Sequence, residues 1–183
     1  DESISYPEAC EQVRDFVQDA TTLRLVADVP VGNFLSGGLD STIIAGLIRE
    51  RGQIRHYCAR QSEADIAREG TSSDYHHAQR LADDWQLNFQ PVDIGGAEVT
   101  LEQISRTMFF ADDLIADSAQ IPTWLITRGA SDTSRVFLSG MGADELFLGY
   151  AGHLLTLLSS YVEAVPGHSV FLNLVSNLAQ GKG

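Results

Sequence analysis

Lysine is almost missing from this chain. Of its twelve basic residues eleven are arginine, and the single lysine is Lys182, second from the end. Twenty-five acids oppose them, for a formal net charge of −13. So acidic a surface repels phosphate over any wide area, which argues against a general nucleic-acid binder. A polyanion needs a local site instead, built from backbone N–H groups, a metal ion or a few arginines. Cysteine is scarce as well. Cys10 and Cys58 are too few for a disulfide framework or a zinc site, so a reducing, cytoplasmic setting is the expectation. No apolar run reaches membrane-spanning length, and the first residues, DESISYPEAC, carry neither a basic n-region nor an apolar h-region. An initiator methionine is also missing, which suggests an excised domain or a processed chain. What remains is 183 residues, 44% hydrophobic and 20% charged, enough for one globular domain with a core.

There is no internal repeat and no long linker. Residues 8–27 place Val13, Phe16, Val17, Ala20, Leu23 and Val26 at helical spacing after Pro7. Val29 to Leu35 reads as a buried strand. Residues 41–51 read as a helix with Ser41 at its start and Gly52 just past its end. A strand at Ile54–Ala59, a helix over 73–86, a strand at Asn88–Val92, helices over 98–109 and 119–131, and a strand at Arg135–Ser139 follow. The polar stretch 60–72 reads as a mobile loop. His76 and His77 are adjacent, so on a helix they point in different directions and read as surface residues rather than a ligand pair. This alternation predicts an α/β fold, a doubly wound parallel sheet with helices on both faces. After Tyr150 the pattern changes to two amphipathic segments, 151–164 and 168–180.

The stretch FLSGGLDS, from Phe34 to Ser41, stands at the carboxyl end of the first strand and opens a helix. Ligands of open parallel sheets collect at such ends. A helix N-terminus offers unpaired N–H groups and a partial positive charge. Gly37 and Gly38 let the backbone wrap anionic oxygens, and Ser36 and Ser41 add hydroxyl donors. No G-x-x-x-x-G-K-[ST] loop is present. Asp40 beside bound phosphate would be repelled unless a cation lay between, and Mg²⁺ takes one or two carboxylates plus phosphate oxygens. The alternative is a plain helix cap with no ligand. SGMGADELFLGY, residues 139–150, repeats the logic after the fourth strand, with Ser139, Gly140 and Gly142 followed by Asp144 and Glu145. If the first and fourth strands are neighbours, the two turns face one crevice, and Asp40 and Asp144 share the ion. Here the alternative is a tight turn whose acids complement a helix dipole.

Together these stretches resemble the synthetase domain of the asparagine synthetase family over about residues 8–153. SGGLDS is like that family's pyrophosphate loop, and DVPVG (Asp28–Gly32) precedes it. DDLIADSAQIPTW (Asp112–Trp124) is similar to D-E-P-F-A-D-x-S-A-x-P-T-Y, and SGMGADELFLGY to S-G-[ED]-G-[AG]-D-E-L-F-G-G-Y. The resemblance implies a Rossmann-like adenine nucleotide α-hydrolase fold of the ATP pyrophosphatase type. It implies ATP and Mg²⁺ as cofactors, and a carboxylic acid such as aspartate activated as an acyl-adenylate. Ammonia or another amine then forms the amide. Carried over by motif, Ser36, Gly37, Gly38, Asp40 and Ser41 cradle pyrophosphate, and Asp40 and Asp144 hold the metal. Backbone near Phe34 and Ala59 meets adenine, while Ser139 and Gly140 lie by the ribose and α-phosphate. Asp40, Asp144 and Glu145 are the candidate catalytic residues; Met141, Asp117, Thr123 and Arg128 fall on the substrate side. Residues 1–150 are expected as the synthetase domain, and 151–183 as a helical extension or the remainder of the same domain.

The sequence departs from the family pattern at four places. Met141 stands where the family has an acid, or a tyrosine in β-lactam-forming relatives, and a thioether neither accepts a proton at neutral pH nor binds Mg²⁺ well. The alternative is that Met141 packs. The downstream region that carries a phosphate-contacting lysine has no counterpart, since Lys182 follows no matching motif. A glutaminase domain with an N-terminal cysteine is not represented, so nitrogen is expected from ammonia, another amine, or a separate glutaminase domain or subunit. Arg60 ends the second strand where the family favours a small residue, and would meet a phosphate, a substrate acid or solvent. Two rival functions follow: a catalytically impaired or non-enzymatic nucleotide-binding homologue, and a β-lactam-forming or peptide-cyclising ligase. Neither reading includes nucleic acid or a membrane as partner, and a pyrophosphatase acting on a nucleic-acid base is disfavoured by the charge.

Overall fold

The computed structural model describes residues 4–62, 66, 74–94, 100–112, 119–153 and 156. The chain divides into two compact units, Asp1–Gly140 and Met141–Gly183.

The first unit opens with α1 (Tyr6–Arg24). Ser5 caps it: the Ser5 hydroxyl accepts from the Glu8 N–H at 3.5 Å, and the Glu8 carboxylate accepts from the Ser5 N–H at 3.0 Å. This reciprocal pair satisfies two orphan amides and starts the helix before Pro7 rather than after it. β1 (Val31–Phe34) follows Pro30 and leads into α2 (Leu39–Ile48). Next come β2 (Arg55–Arg60), α3 (Asp74–Trp85) and β3 (Phe89–Asp93). α4 (Leu101–Ala111), with a second capping box between Thr100 and Gln103, precedes α5 (Gln120–Ala130) and β4 (Val136–Leu138).

All four strands are parallel, in the order β3-β2-β1-β4. The chain moves outward from β1 through β2 to β3, then returns to the other side of β1. That reversal is a topological switch point at the carboxyl ends of β1 and β4, the position at which open α/β sheets bind ligands.

Strand alternation assigns the two faces. Leu35 and Cys58 are buried with Ala45 of α2 and Ala78 of α3, flanked by Tyr75, Trp85 and Phe89. The opposite face carries Phe34 stacked on Phe137 at 4.9 Å, with Tyr57 edge-on to the same ring at 5.6 Å. Gly32 lies beneath this cluster; a Cβ there would stand 2.7 Å from the Tyr57 ring. Val92 presses on Gly129 of α5, where a Cβ would stand 2.6 Å from it. Phe89 and Val92 are three residues apart, so α3 and α5 cover opposite faces. The sheet is therefore doubly wound, as the alternation predicts. The Tyr57 hydroxyl is satisfied by Ser134 at 2.9 Å and Thr133 at 2.7 Å, which lets a phenol sit fully inside.

Beyond the start of α1, β1 and α2 also differ from the boundaries expected from sequence. β1 is shorter than residues 29–35, because Pro30 has no N–H to donate to the ladder and serves it only as an acceptor, from Arg135 at 2.9 Å. α2 starts two residues before Ser41. Gly38 is its N-cap, accepting from the Thr42 N–H at 3.0 Å, and the Ser41 hydroxyl turns back into the preceding loop.

In the second unit, α6 (Ala143–Phe147) lies between two left-handed residues, Gly142 at φ +95° and Leu148 at φ +58°. The Gly149 N–H closes it onto the Asp144 carbonyl at 3.0 Å. Residues 151–153 begin another helix; the rest of the segments expected at 151–164 and 168–180 lies outside the described residues, Thr156 apart. No helix among the described residues is long and apolar enough to cross a membrane.

Candidate functional site

Leu35 anchors the end of β1 in the core, and the chain then turns through Ser36, Gly37 and Gly38 into α2. Ser41 organises that turn from inside. Its buried hydroxyl lies 3.1 Å from Ser36 Oγ, accepts from the Ser36 N–H at 3.3 Å and donates to the Gly38 carbonyl at 3.1 Å. Ser36 Oγ in turn accepts from the Gly38 N–H at 3.3 Å. Both serine hydroxyls thus bond within the loop and hold its shape. The glycine N-cap supplies no side-chain acceptor, so the amides of Leu39, Asp40 and Ser41 in the first turn of α2 have no helical partner and no cap. The amino end of a ten-residue helix left uncapped in this way offers free amide donors and a partial positive charge.

Gly37 is held at φ +78°, a conformation costly for other residues, and its α-carbon rests on α3: a Cβ would stand 2.7 Å from both the His77 Cβ and the Ala78 nitrogen. Gly140 closes the other side. A Cβ there would stand 2.8 Å from the Asp40 Cβ, 2.9 Å from the Ser41 nitrogen and 3.1 Å from the Asp40 carbonyl carbon. The end of the β4 loop is therefore stripped to backbone where it meets the first turn of α2. Ser139, before it, is half-buried. Phe34 and Ala59 end up near the carboxyl ends of the neighbouring strands β1 and β2, and the Leu35 N–H bonds the Tyr57 carbonyl at 2.8 Å.

Asp40 is half-buried at the second position of α2. Its placement beside free amides suits an ion shared between one carboxylate and phosphate oxygens. No group of three or more His, Cys, Asp or Glu among the described residues is arranged to hold a metal alone. Asp144 and Glu145 occupy the first turn of α6 in the second unit, where the Tyr150 hydroxyl donates to Glu145 at 2.7 Å and holds its carboxyl below the usual range. Met141, at the start of that unit, is exposed. Thr123 spends its hydroxyl on the Ala119 carbonyl at 2.8 Å, and the exposed Arg128 lies over Trp124 of its own helix at 5.2 Å. Asp117 lies outside the described residues.

Arg60 is partly exposed and has an acid partner at the end of the next strand. It forms a two-armed pair with Asp93, at 2.5 and 2.7 Å, and lies over the Tyr75 ring at 5.6 Å. The hydrogen bond to Asp93 holds its guanidinium charged more firmly than usual. Two features escaped the sequence reading. His77 is exposed, as expected, yet its Cβ touches the glycine loop. Asn33 and His56 form a buried pair in the centre of the sheet, Nδ2 to Nδ1 at 3.2 Å, with Asn33 Oδ1 unpartnered among the described residues.

Comparison with known proteins follows from the same loops. The asparagine synthase family model matches residues 12–181. Asparagine synthetase [glutamine-hydrolyzing] 1 of Bacillus subtilis is 31% identical over 147 residues, covering 76% of this chain and 21% of that protein. A putative asparagine synthetase [glutamine-hydrolyzing] 2 of Methanocaldococcus jannaschii is 28% identical over 156 residues, covering 85% of this chain and 29% of that protein. An NH3-dependent NAD synthetase from Campylobacter jejuni is a structural neighbour at a TM-score of 0.45 and 17% identity, covering 81% of this chain and 62% of that one. The chain thus spans 21% and 29% of the length of these two curated relatives. With the family model matched over nearly its whole length, this chain belongs to the asparagine synthase family.

Proposed function

We propose that this domain binds ATP with Mg²⁺ and serves an ATP-dependent, amide-forming carbon–nitrogen ligase. The observation that carries the reading is the contact of Gly140 with Asp40 and Ser41: two glycine turns, from neighbouring strands, meet at an uncapped helix end. Such a cradle fits the tail of a nucleoside triphosphate. The amides of Leu39, Asp40 and Ser41 take the pyrophosphate oxygens, Gly37 and Gly38 let the backbone close on them, and Gly140 leaves room at the α-phosphate. Phe34 and Ala59 border the adenine.

In the proposed reaction a substrate carboxylate oxygen bonds to the α-phosphorus and the bond to pyrophosphate breaks, leaving an acyl-adenylate. An amine, ammonia in the simplest case, then bonds to the acyl carbon and AMP departs. Asp40 holds the metal in this reading, and Asp144 takes the same role from the second motif. Mg²⁺, when bound, offsets charge gathering on the leaving group. Aspartate is the first acid to test, with Thr123 and Arg128 proposed on its side of the site and Asp117 assigned there by its motif alone. The relatives' names include glutamine hydrolysis, so a glutaminase domain or subunit is the proposed nitrogen source beside free ammonia.

Calorimetry with ATP, AMP and Mg²⁺ tests the nucleotide site, and an Asp40→Ala variant should lose the Mg²⁺-dependent part of ATP binding. Unchanged binding in that variant refutes the metal role. ATP–pyrophosphate exchange across a panel of carboxylic acids then identifies the substrate. A second reading, a nucleotide-binding homologue without the second half-reaction, is favoured by Met141, whose thioether cannot act as a base. Exchange without amide formation supports it.

A further inference from the structure

The glycine loop brings no cation of its own. No Lys or Arg lies between Arg24 and Arg49, and Arg60 is committed to Asp93. A pyrophosphate group approaching a chain of net charge −13 needs positive charge or strong donors close at hand. Among the described residues, a side chain that can donate stands against the loop. A Cβ on Gly37 would stand 2.7 Å from the His77 Cβ and 2.9 Å from the His77 carbonyl carbon, so His77 leaves α3 directly beside the loop backbone. Its neighbour His76 faces the Tyr75 ring at 5.5 Å. His77 is exposed and has no hydrogen bond, ion pair or ring contact among the described residues.

We propose that His77 is a phosphate-binding residue of this site, its imidazole contacting the pyrophosphate portion of the nucleotide seated on the Ser36–Ser41 loop. The assignment rests on the nucleotide-binding reading above. It explains why Gly37 cannot be larger: a side chain there would part the loop from α3 and carry the imidazole away from the ligand. It also gives the departing pyrophosphate a donor that AMP, which lacks the β- and γ-phosphates, does not use.

The test is calorimetric titration of the folded chain with magnesium pyrophosphate, MgATP and AMP, for wild type, His77→Ala and His77→Arg. His77→Ala should weaken pyrophosphate and ATP binding about tenfold, the worth of one charge-assisted hydrogen bond. AMP affinity should not change, and His77→Arg should restore the loss. Circular dichroism checks that an exposed substitution leaves the fold intact. Equal pyrophosphate affinity in wild type and His77→Ala overturns the assignment while leaving the nucleotide site standing. A folded wild type that binds neither ATP nor pyrophosphate overturns both.

Discussion

Replacing Gly140 with alanine probes the meeting of the two turns directly. The new methyl would stand 2.8 Å from the Asp40 Cβ, 2.9 Å from the Ser41 nitrogen and 3.1 Å from the Asp40 carbonyl carbon. Two of those three neighbours are backbone atoms of a helix's first turn, so neither can swing aside. Either the β4 loop withdraws or the start of α2 shifts. Overpacking of this kind costs about 1–3 kcal/mol, and about 2 kcal/mol corresponds to a fall in Tm of roughly 4–8 °C for a domain this size. Function should suffer more than stability. The same shift moves the amides of Asp40 and Ser41 off their ligand, and ATP affinity should fall by about tenfold or more. Gly52→Ala is the control: nothing lies within 4 Å of a Cβ there and its φ is not positive, so its effect should stay within about 0.5 kcal/mol. Urea unfolding followed by circular dichroism, with MgATP calorimetry on the same samples, reads both quantities. Wild-type stability together with wild-type ATP affinity in Gly140→Ala refutes the packing of the two turns and the cradle built on it.

Burial lowers His56 from its ordinary value of 6.5 to about 4. The native state holds it neutral while the unfolded state takes up a proton, so stability is full above about pH 6.5 and declines down to about pH 4, by up to ~3 kcal/mol. Urea midpoints measured across that range, with the imidazole followed by NMR, check this; ordinary titration near 6.5 contradicts it. Ser41→Ala removes the buried hydroxyl that joins Ser36 to Gly38. It should cost about 1–2 kcal/mol in thermal or urea unfolding and loosen the loop, whereas an unchanged midpoint would show that the loop holds its shape by other means. The thiol of Cys58 is pushed up to about 12 by burial, with Asp74 adding to the effect, while Cys10 is exposed. A thiol reagent at pH 8 should therefore label Cys10 in the native protein and both cysteines in denaturant; rapid native labelling of Cys58 would argue against its burial.

Much of the fold was readable locally. Strand and helix periodicity, the glycine punctuation and SGGLDS each rest on interactions within a few residues, and the parallel, doubly wound sheet follows from their alternation. The Ser5–Glu8 and Thr100–Gln103 boxes went unread although they stand in the sequence as S-x-x-E and T-x-x-Q, because spacing of apolar residues alone sets the first helix start late and the other early. The site was only half readable. Sequence names Ser36, Gly37, Asp40 and Ser41 as a turn into a helix, where glycine and hydroxyl residues serve either a cap or a ligand. Which groups surround that loop depends on register and packing between segments far apart in the chain. Arg60 reads as a free cation until the β2–β3 register sets it against Asp93. His77 reads as a surface residue until Gly37 brings the loop onto its Cβ. Gly140 reads as a turn glycine until pairing of β1 with β4 lays it across the start of α2. Local sequence thus determined where the backbone is bare and where helices begin, because those preferences are short-range. Tertiary structure decided what faces the bare backbone, because contacts across a sheet exist only once the strands have chosen their neighbours.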